Sequence, residues 1–175
     1  MKQDSTFNLP TGETRLGIDL GSTTAKLVLI QNGEITYSCY ERHLSRVREK
    51  TLELLRGVEP FLAPGESFRA AVSGSAGLGL ARAAGVPFVQ EVFATAQAVR
   101  QLSDVPVDAV VELGGEDAKI IFFRGGLDER MNGSCAGGTG AFIDQMATLL
   151  DVTPSELDEL SLRHTRIYPI ASRRG

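Results

Sequence analysis

The stretch Gly17 to Ile30, GIDLGSTTAKLVLI, does most to constrain what this chain folds into. An apolar run (Leu16, Ile18, Leu20) delivers an acid, Asp19, to a glycine, Gly21, and then to three hydroxyl residues, Ser22, Thr23 and Thr24. The chain resumes as a second apolar strand, Ala25 to Ile30, with Lys26 near its start. Glycine permits the unusual dihedrals of a tight turn and lets a bound group approach the backbone. Amide and hydroxyl donors beside an ammonium form a concavity for an anion, most usefully a phosphate. An aspartate at a strand end can hold, through water, the magnesium that accompanies nucleotide phosphates. Taken alone, the pattern also describes a plain hairpin turn.

A second copy changes the balance. Val111 to Phe123 reads VELGGEDAKIIFF, and a shift of 93 positions lays Glu112 over Asp19, Leu113 over Leu20 and Gly114 over Gly21. The same shift lays Ala118 over Ala25, Lys119 over Lys26 and Gly126 over Gly33, so each copy closes its next turn with glycine (Asn32-Gly33, Gly125-Gly126). Acid, glycine and lysine at matching offsets between apolar strands argue for an internal duplication. Two such loops facing one another would grip a polyphosphate and its metal from both sides.

The rest of the chain fits around these hairpins. Leu16 to Leu20, Ala25 to Ile30 and Glu34 to Tyr40 read as three antiparallel strands, with a type I′ turn at Asn32-Gly33. Ser45 to Gly57 reads as an amphipathic helix with Val47, Leu54, Leu55 and Val58 inward. Phe68 to Ser73 reads as a buried strand leading into a glycine-rich turn, Ser73 to Gly77, and Val86 to Val89 as a short strand. Glu91 to Leu102 reads as a helix with Val92, Ala96 and Val99 inward, where Glu91 favours the helix dipole. Val107 to Glu112, Lys119 to Phe123 and Leu127 to Asn132 then repeat the three-strand pattern. The expectation is a mixed sheet with flanking helices, a ribonuclease H-like α/β fold, with no linker dividing the chain.

The third notable stretch is MNGSCAGGTGAF, Met131 to Phe142, in which glycines cluster around Cys135 and Thr139 ahead of a helix from Gly140 to Leu150. The apolar stripe of that helix is Phe142, Met146, Leu149 and Leu150. A cysteine before a helix N-terminus meets the positive end of the helix dipole, which favours the thiolate. Cys135 is open to three readings: a buried structural thiol, a nucleophile with His43 or His164 as its base, or a metal or cluster ligand. Cys39, inside a strand, reads as an inert small hydrophobe.

Composition excludes several function classes. A net charge of −4 over 175 residues gives no basic footprint for nucleic acid. No long apolar span or signal peptide is legible, and residues 1–14 are polar and read as a flexible tail, so the expectation is a cytoplasmic protein without membrane contact. Two cysteines are too few for a disulfide framework.

In their order, GIDLGSTTAK, ELGGEDAK and NGSCAGGTGAF resemble the two phosphate loops and the cysteine loop of the ATPase activators of 2-hydroxyacyl-CoA dehydratases. That group includes benzoyl-CoA reductase ATPase subunits and sits within the actin, sugar kinase and heat-shock chaperone ATPase superfamily. The resemblance runs from Arg15 to the last residue. It implies a duplicated actin-like ATPase core over residues 15–175, comprising the first lobe and the start of the second, with the adenosine-binding segment beyond. It implies ATP and magnesium as cofactors, with Lys26 and Lys119 on phosphate and Asp19 on magnesium through water. Glu112 then serves water or metal, and Gly21, Ser22, Thr23, Thr24, Gly114 and Gly115 supply donors and turns. It implies a homodimer sharing a 4Fe-4S cluster, with Cys135 as a ligand, and an acyl-CoA dehydratase or reductase component as partner. Cluster-borne electrons at low potential would reach that partner when ATP is hydrolysed.

Two departures stand out. Where the family carries its second cysteine, after a short strand, Ile167 to Gly175 reads IYPIASRRG, and Arg174 occupies the place. In the second loop Glu112 replaces the usual aspartate. A small-molecule kinase of the same superfamily and a non-catalytic nucleotide-binding module are the competing readings.

Overall fold

A computed structural model describes residues 12–131 and 139–168. Cys135, Arg174 and most of the expected tail lie outside them.

Among the described residues, seven strands and five α-helices follow the order β1 (Thr14–Leu20), β2 (Thr24–Gln31), β3 (Glu34–Arg42), α1 (Val47–Val58), β4 (Arg69–Ser73), α2 (Leu78–Ala84), α3 (Glu91–Leu102), β5 (Ala109–Leu113), β6 (Ala118–Phe122), β7 (Asp128–Met131), α4 (Gly140–Leu149) and α5 (Pro154–Leu162). Two compact units result. One holds the chain up to Val110 with Phe122–Asp128; the other holds Val111–Ile121 with the chain from Glu129 on.

The first unit is built on a mixed four-stranded sheet ordered β3-β2-β1-β4. β1 and β2 pair antiparallel from Thr14↔Gln31 to Leu20↔Ala25, while β1 and β4 run parallel. Period-two alternation puts Leu16, Ile18 and Leu20 of β1 beside Ala25, Leu27 and Leu29 of β2 in one buried layer. Helix α1 covers that layer with Leu54 and Val58, and Val72 of β4 and Ala81 of α2 complete the cluster. Burying a leucine-sized side chain contributes about 1.5–3 kcal/mol. This layer therefore fixes the register that sets where Asp19 ends up.

The turn chemistry follows the sequence. Asn32 and Gly33 have φ of 54° and 87°, the two left-handed positions of a type I′ hairpin. Helix α1 starts at Val47, two residues later than its periodicity suggests, because Leu44 and Ser45 take φ of 49° and 64° in a tight turn closed by Arg46 N–H on His43 O at 2.8 Å.

β4 is less buried than its composition suggests. Only Val72 is fully enclosed and Phe68 is 43% exposed, since β4 covers one side of β1 and meets only an isolated bridge to Phe88 beyond. Helix α2, in a stretch rich in Gly and Ala, carries no readable periodicity in the sequence and closes with Gly85 in the left-handed conformation.

The second sheet runs β5-β6-β7 and repeats the hairpin order of the first. Its turn at Gly125-Gly126 again has two positive φ values, 75° and 130°. Helix α4 departs from its expected stripe: Ala147 is the buried residue, while Leu149 and Leu150 at its C-terminal end are 76% and 60% exposed. α5 begins at a capping box in which Thr153 and Glu156 satisfy one another's backbone amides. Among the described residues, no helix is long and apolar enough to cross a membrane.

Candidate functional site

Asp19 stands near the carboxyl end of β1, directly across from Lys26 on β2. Lys26 Nζ donates to Asp19 Oδ2 at 2.8 Å and lies 5.4 Å from the centre of the Tyr40 ring, its cross-strand neighbour on β3. The lysine is thus held between a carboxylate and an aromatic face, both partly open to solvent. The other carboxylate oxygen, Oδ1, is shielded from solvent and makes no hydrogen bond among the described residues. Buried polar atoms are nearly always paired, and the exceptions mark places kept for a water, an ion or a reacting group.

The turn after Asp19 is closed by Gly21 N–H on Thr24 O at 2.9 Å. Gly21 does not adopt the left-handed backbone expected for it; a Cβ there would touch Thr24 O at an ordinary 3.5 Å. What the glycine contributes is therefore an unscreened backbone. The strained glycine lies next door, in the turn after β4: Gly74 has φ of 91°, and a Cβ on it would collide with Leu20 O and with Asp19 Oδ1. Ala76 N–H donates to Leu20 O at 2.8 Å, so the Ser73–Gly77 turn is fastened over the end of β1.

A residue outside the expected set completes the loop. His43, 4% exposed, places Nε2 at 3.1 Å from Gly21 O, and its backbone N–H donates to Thr23 O at 3.2 Å. Ser45 N–H donates to His43 Nδ1 at 3.2 Å, which fixes the tautomer: the ring hydrogen sits on Nε2 and is given to Gly21. With the carbonyls of Gly21 and Thr23 both taken from behind, the loop presents donors to a ligand. Nothing in the local motif points to His43, since it lies twenty-two positions along the chain from Gly21, beyond β3.

The second loop copies the first within its own unit. Gly114 N–H donates to Asp117 O at 2.8 Å, the counterpart of the Gly21–Thr24 bond at the same offset. Glu112, at the place of Asp19, is half-buried with Oε2 shielded from solvent. Lys119 is buried and keeps Nζ 3.7 Å from Asp117 Oδ2. Helix α4 docks on this turn: Gly140 N–H donates to Gly114 O at 2.7 Å and Ala141 N–H to Gly115 O at 3.1 Å. These two bonds tie Gly114 and Gly115 to the start of α4.

Cys39 lies on β3 opposite Leu27 and packs partly against the core. Burial pushes its thiol above the usual range, which suits a small hydrophobe and not a ligand. No group of three or more His, Cys, Asp or Glu side chains able to hold a metal occurs among the described residues. A single carboxylate still fits magnesium, which keeps most of its water shell and often takes one or two carboxylates.

The profile of the BadF/BadG/BcrA/BcrD ATPase family matches residues 16–173. The chain belongs to this ATPase family. Among its relatives, the (R)-2-hydroxyglutaryl-CoA dehydratase activating ATPase of Acidaminococcus fermentans is 30% identical over 162 residues, covering 90% of this chain and 61% of that one. The 2-hydroxyisocaproyl-CoA dehydratase activator of Clostridioides difficile is 30% identical over 168 residues, covering 90% and 60%. Two solved structures superpose on this ATPase-family chain. Component A of the Acidaminococcus fermentans (R)-2-hydroxyglutaryl-CoA dehydratase does so with a TM-score of 0.75 at 27% identity, covering 91% of this chain and 62% of that one. The Clostridium difficile 2-hydroxyisocaproyl-CoA dehydratase activator with bound ADPNP gives 0.70 at 28% identity, covering 91% and 60%. The fold is therefore the actin-like ATPase fold of these activators, and the chain spans about three fifths of the relatives it matches.

Proposed function

We propose that this chain is the phosphate-gripping part of an ATP-hydrolysing activator of acyl-CoA dehydratases or related acyl-CoA reductases. The observation that carries the reading is Asp19: one oxygen is neutralised by Lys26, and the other is buried without a protein donor beside the Gly21 turn. The ADPNP bound to an activator of similar fold and the acyl-CoA dehydratases that these relatives activate support the nucleotide and the partner.

In this reading Lys26 and Lys119 neutralise phosphate oxygens, Ser22, Thr23, Thr24 and Gly115 give amides and hydroxyls to them, and Gly21 and Gly114, whose own amides close the turns, let the phosphate approach the backbone. Asp19 holds the shell of a magnesium ion, whose charge would offset that building up on the phosphates. Glu112 orients the water that attacks the terminal phosphorus; the bond to the leaving oxygen breaks, giving ADP and inorganic phosphate. Little covalent chemistry falls to the protein, and positioning supplies the rate.

The iron–sulfur part of the proposal rests on sequence. Cys135 would be one ligand of a 4Fe-4S cluster shared across a cytoplasmic homodimer, supplying low-potential electrons to the acyl-CoA enzyme. Four thiolates are the usual requirement. Cys39 is poorly suited, being seated in β3 with its thiol pushed up by burial. Arg174 occupies the remaining place. Anaerobic reconstitution is expected to give little stable cluster in the natural chain and more in Arg174→Cys; equal iron and sulfide in both refutes the placement.

The nucleotide reading is tested by calorimetry with ADP and magnesium. The natural chain is expected to bind, and Asp19→Ala to lose binding with its far-ultraviolet dichroism unchanged. Absence of binding by the natural chain rejects the reading. Phosphate transfer to a sugar or acid in a substrate panel would point instead to a small-molecule kinase.

A further inference from the structure

Ser73 is the last residue of β4, and in the parallel β1/β4 pair its Cα partner is Asp19. Partners across a sheet project their side chains to the same face, with the strands about 5 Å apart. Both residues stand at the carboxyl ends of adjacent parallel strands, where α/β sheets place their ligands. The Oγ of Ser73, like the Oδ1 of Asp19, is shielded from solvent and makes no hydrogen bond among the described residues. Two neighbouring acceptors, one of them also a donor, have thus been desolvated without pairing with each other or with the backbone. The turn that follows closes over them. Gly74 approaches so near to Asp19 Oδ1 and Leu20 O that no side chain fits, and Ala76 N–H fastens that turn to Leu20 O at 2.8 Å. Such an arrangement carries a desolvation cost that no protein contact offsets.

We propose that Asp19 Oδ1 and Ser73 Oγ together hold a water of a hydrated divalent cation, making Ser73 a positioning residue for the metal. This rests on the phosphate-site reading for the anion the cation accompanies. The chemistry is consistent: the carboxylate accepts from the metal-bound water, the hydroxyl orients it, and the cation keeps the rest of its shell. Lys26 pairs with Oδ2 and leaves Oδ1 to the metal-bound water.

The test compares the natural chain with Ser73→Ala and Ser73→Thr, using Mn2+ alone as a magnetically visible substitute. Paramagnetic broadening of amide signals is followed at residues 19–20 and 73–76. The natural chain is expected to show selective broadening there. Ser73→Ala should need roughly tenfold more Mn2+ for the same effect, and Ser73→Thr, which keeps the hydroxyl, should stay near the natural value. Without metal, Ser73→Ala should melt at the same temperature or higher, because it deletes an unpaired buried group. No selective broadening in the natural chain, an unchanged midpoint in Ser73→Ala, or a clear fall in its melting temperature each overturns the inference. A separate ADP titration keeps the two proposals apart. Hydroxyl-dependent Mn2+ binding without ADP binding leaves this inference standing and removes the nucleotide reading; ADP binding indifferent to Ser73 does the reverse.

Discussion

The imidazole of His43 reaches from beyond β3 to the carbonyl of Gly21, Nε2 to O at 3.1 Å, and braces the phosphate-type turn from behind. Removing that donor leaves a buried carbonyl unpaired at a typical cost of about 1–3 kcal/mol. His43→Leu should therefore speed amide exchange at residues 21–24 and weaken ADP·Mg binding on the order of tenfold. His43→Gln can still donate from its amide and should recover most of both. Exchange rates by NMR and affinity by calorimetry read the two effects. Equal losses in both variants would mean that the residue acts through packing and not through its hydrogen bond.

Gly74 supports a second prediction, about backbone conformation. Its φ of 91° is one that other residues rarely adopt, and a Cβ would strike Leu20 O and Asp19 Oδ1. Gly74→Ala should cost on the order of 1–3 kcal/mol, the usual range for a strained backbone position. Gly65, also left-handed at φ of 79° but with open space around it, is the control, and Gly65→Ala should cost less. Chemical denaturation midpoints decide it, and a milder effect at Gly74 than at Gly65 would count against the close approach.

Much of this was legible because the decisive signals are local. Asn32-Gly33 announced its turn, β1 and β2 their alternation, and the shift between the loops survives as matching Gly21–Thr24 and Gly114–Asp117 hydrogen bonds. What escaped was tertiary. His43 reaches Gly21 only because β3 returns the chain to the loop, and Ser73 meets Asp19 only through a parallel pairing across a long connection. Helix α2, in a run of small residues, carries no amphipathic period to read. The ion pair of Lys119 with Asp117 has no counterpart in the first copy, where Thr24 stands at the same offset.

A pH effect follows from Glu66. Its carboxylate accepts from the Thr14 hydroxyl, from Ala63 N–H at 2.8 Å and from Gln31 Nε2 at 3.3 Å, tying the start of β1 and the end of β2 to the loop after α1. These donors, Thr14 first, hold its pKa below the ordinary 4.5. The folded state thus binds fewer protons than the unfolded one below that value, so the contribution is fully present above pH 4.5 and is lost as pH falls through the lowered value. Glu66→Gln should melt earlier than the natural chain at neutral pH, with the gap narrowing on acidification. A gap that stays constant down to low pH would show that the charge of Glu66 is not what stabilises the loop.

The duplicated turns also predict an asymmetry between their glycines. At Gly21 an added methyl finds Thr24 O at 3.5 Å, ordinary contact, so Gly21→Ala should fold with a melting temperature close to that of the natural chain. The methyl would nonetheless stand where a phosphate is proposed to approach, so ADP·Mg affinity should fall. At Gly114 the methyl would strike Asp117 Oδ1, the far end of a side chain that can rotate away. Turning Asp117 aside would draw its carboxylate away from the buried Lys119 Nζ, now 3.7 Å away, and weaken that ion pair. Gly114→Ala should thus lower stability where Gly21→Ala does not. Adding Asp117→Ala to Gly114→Ala should then cause little further loss, because the pair is already broken. Melting curves of the four chains, read as a double-mutant cycle, measure that coupling, and strict additivity would show that Asp117 does not relay the clash to Lys119.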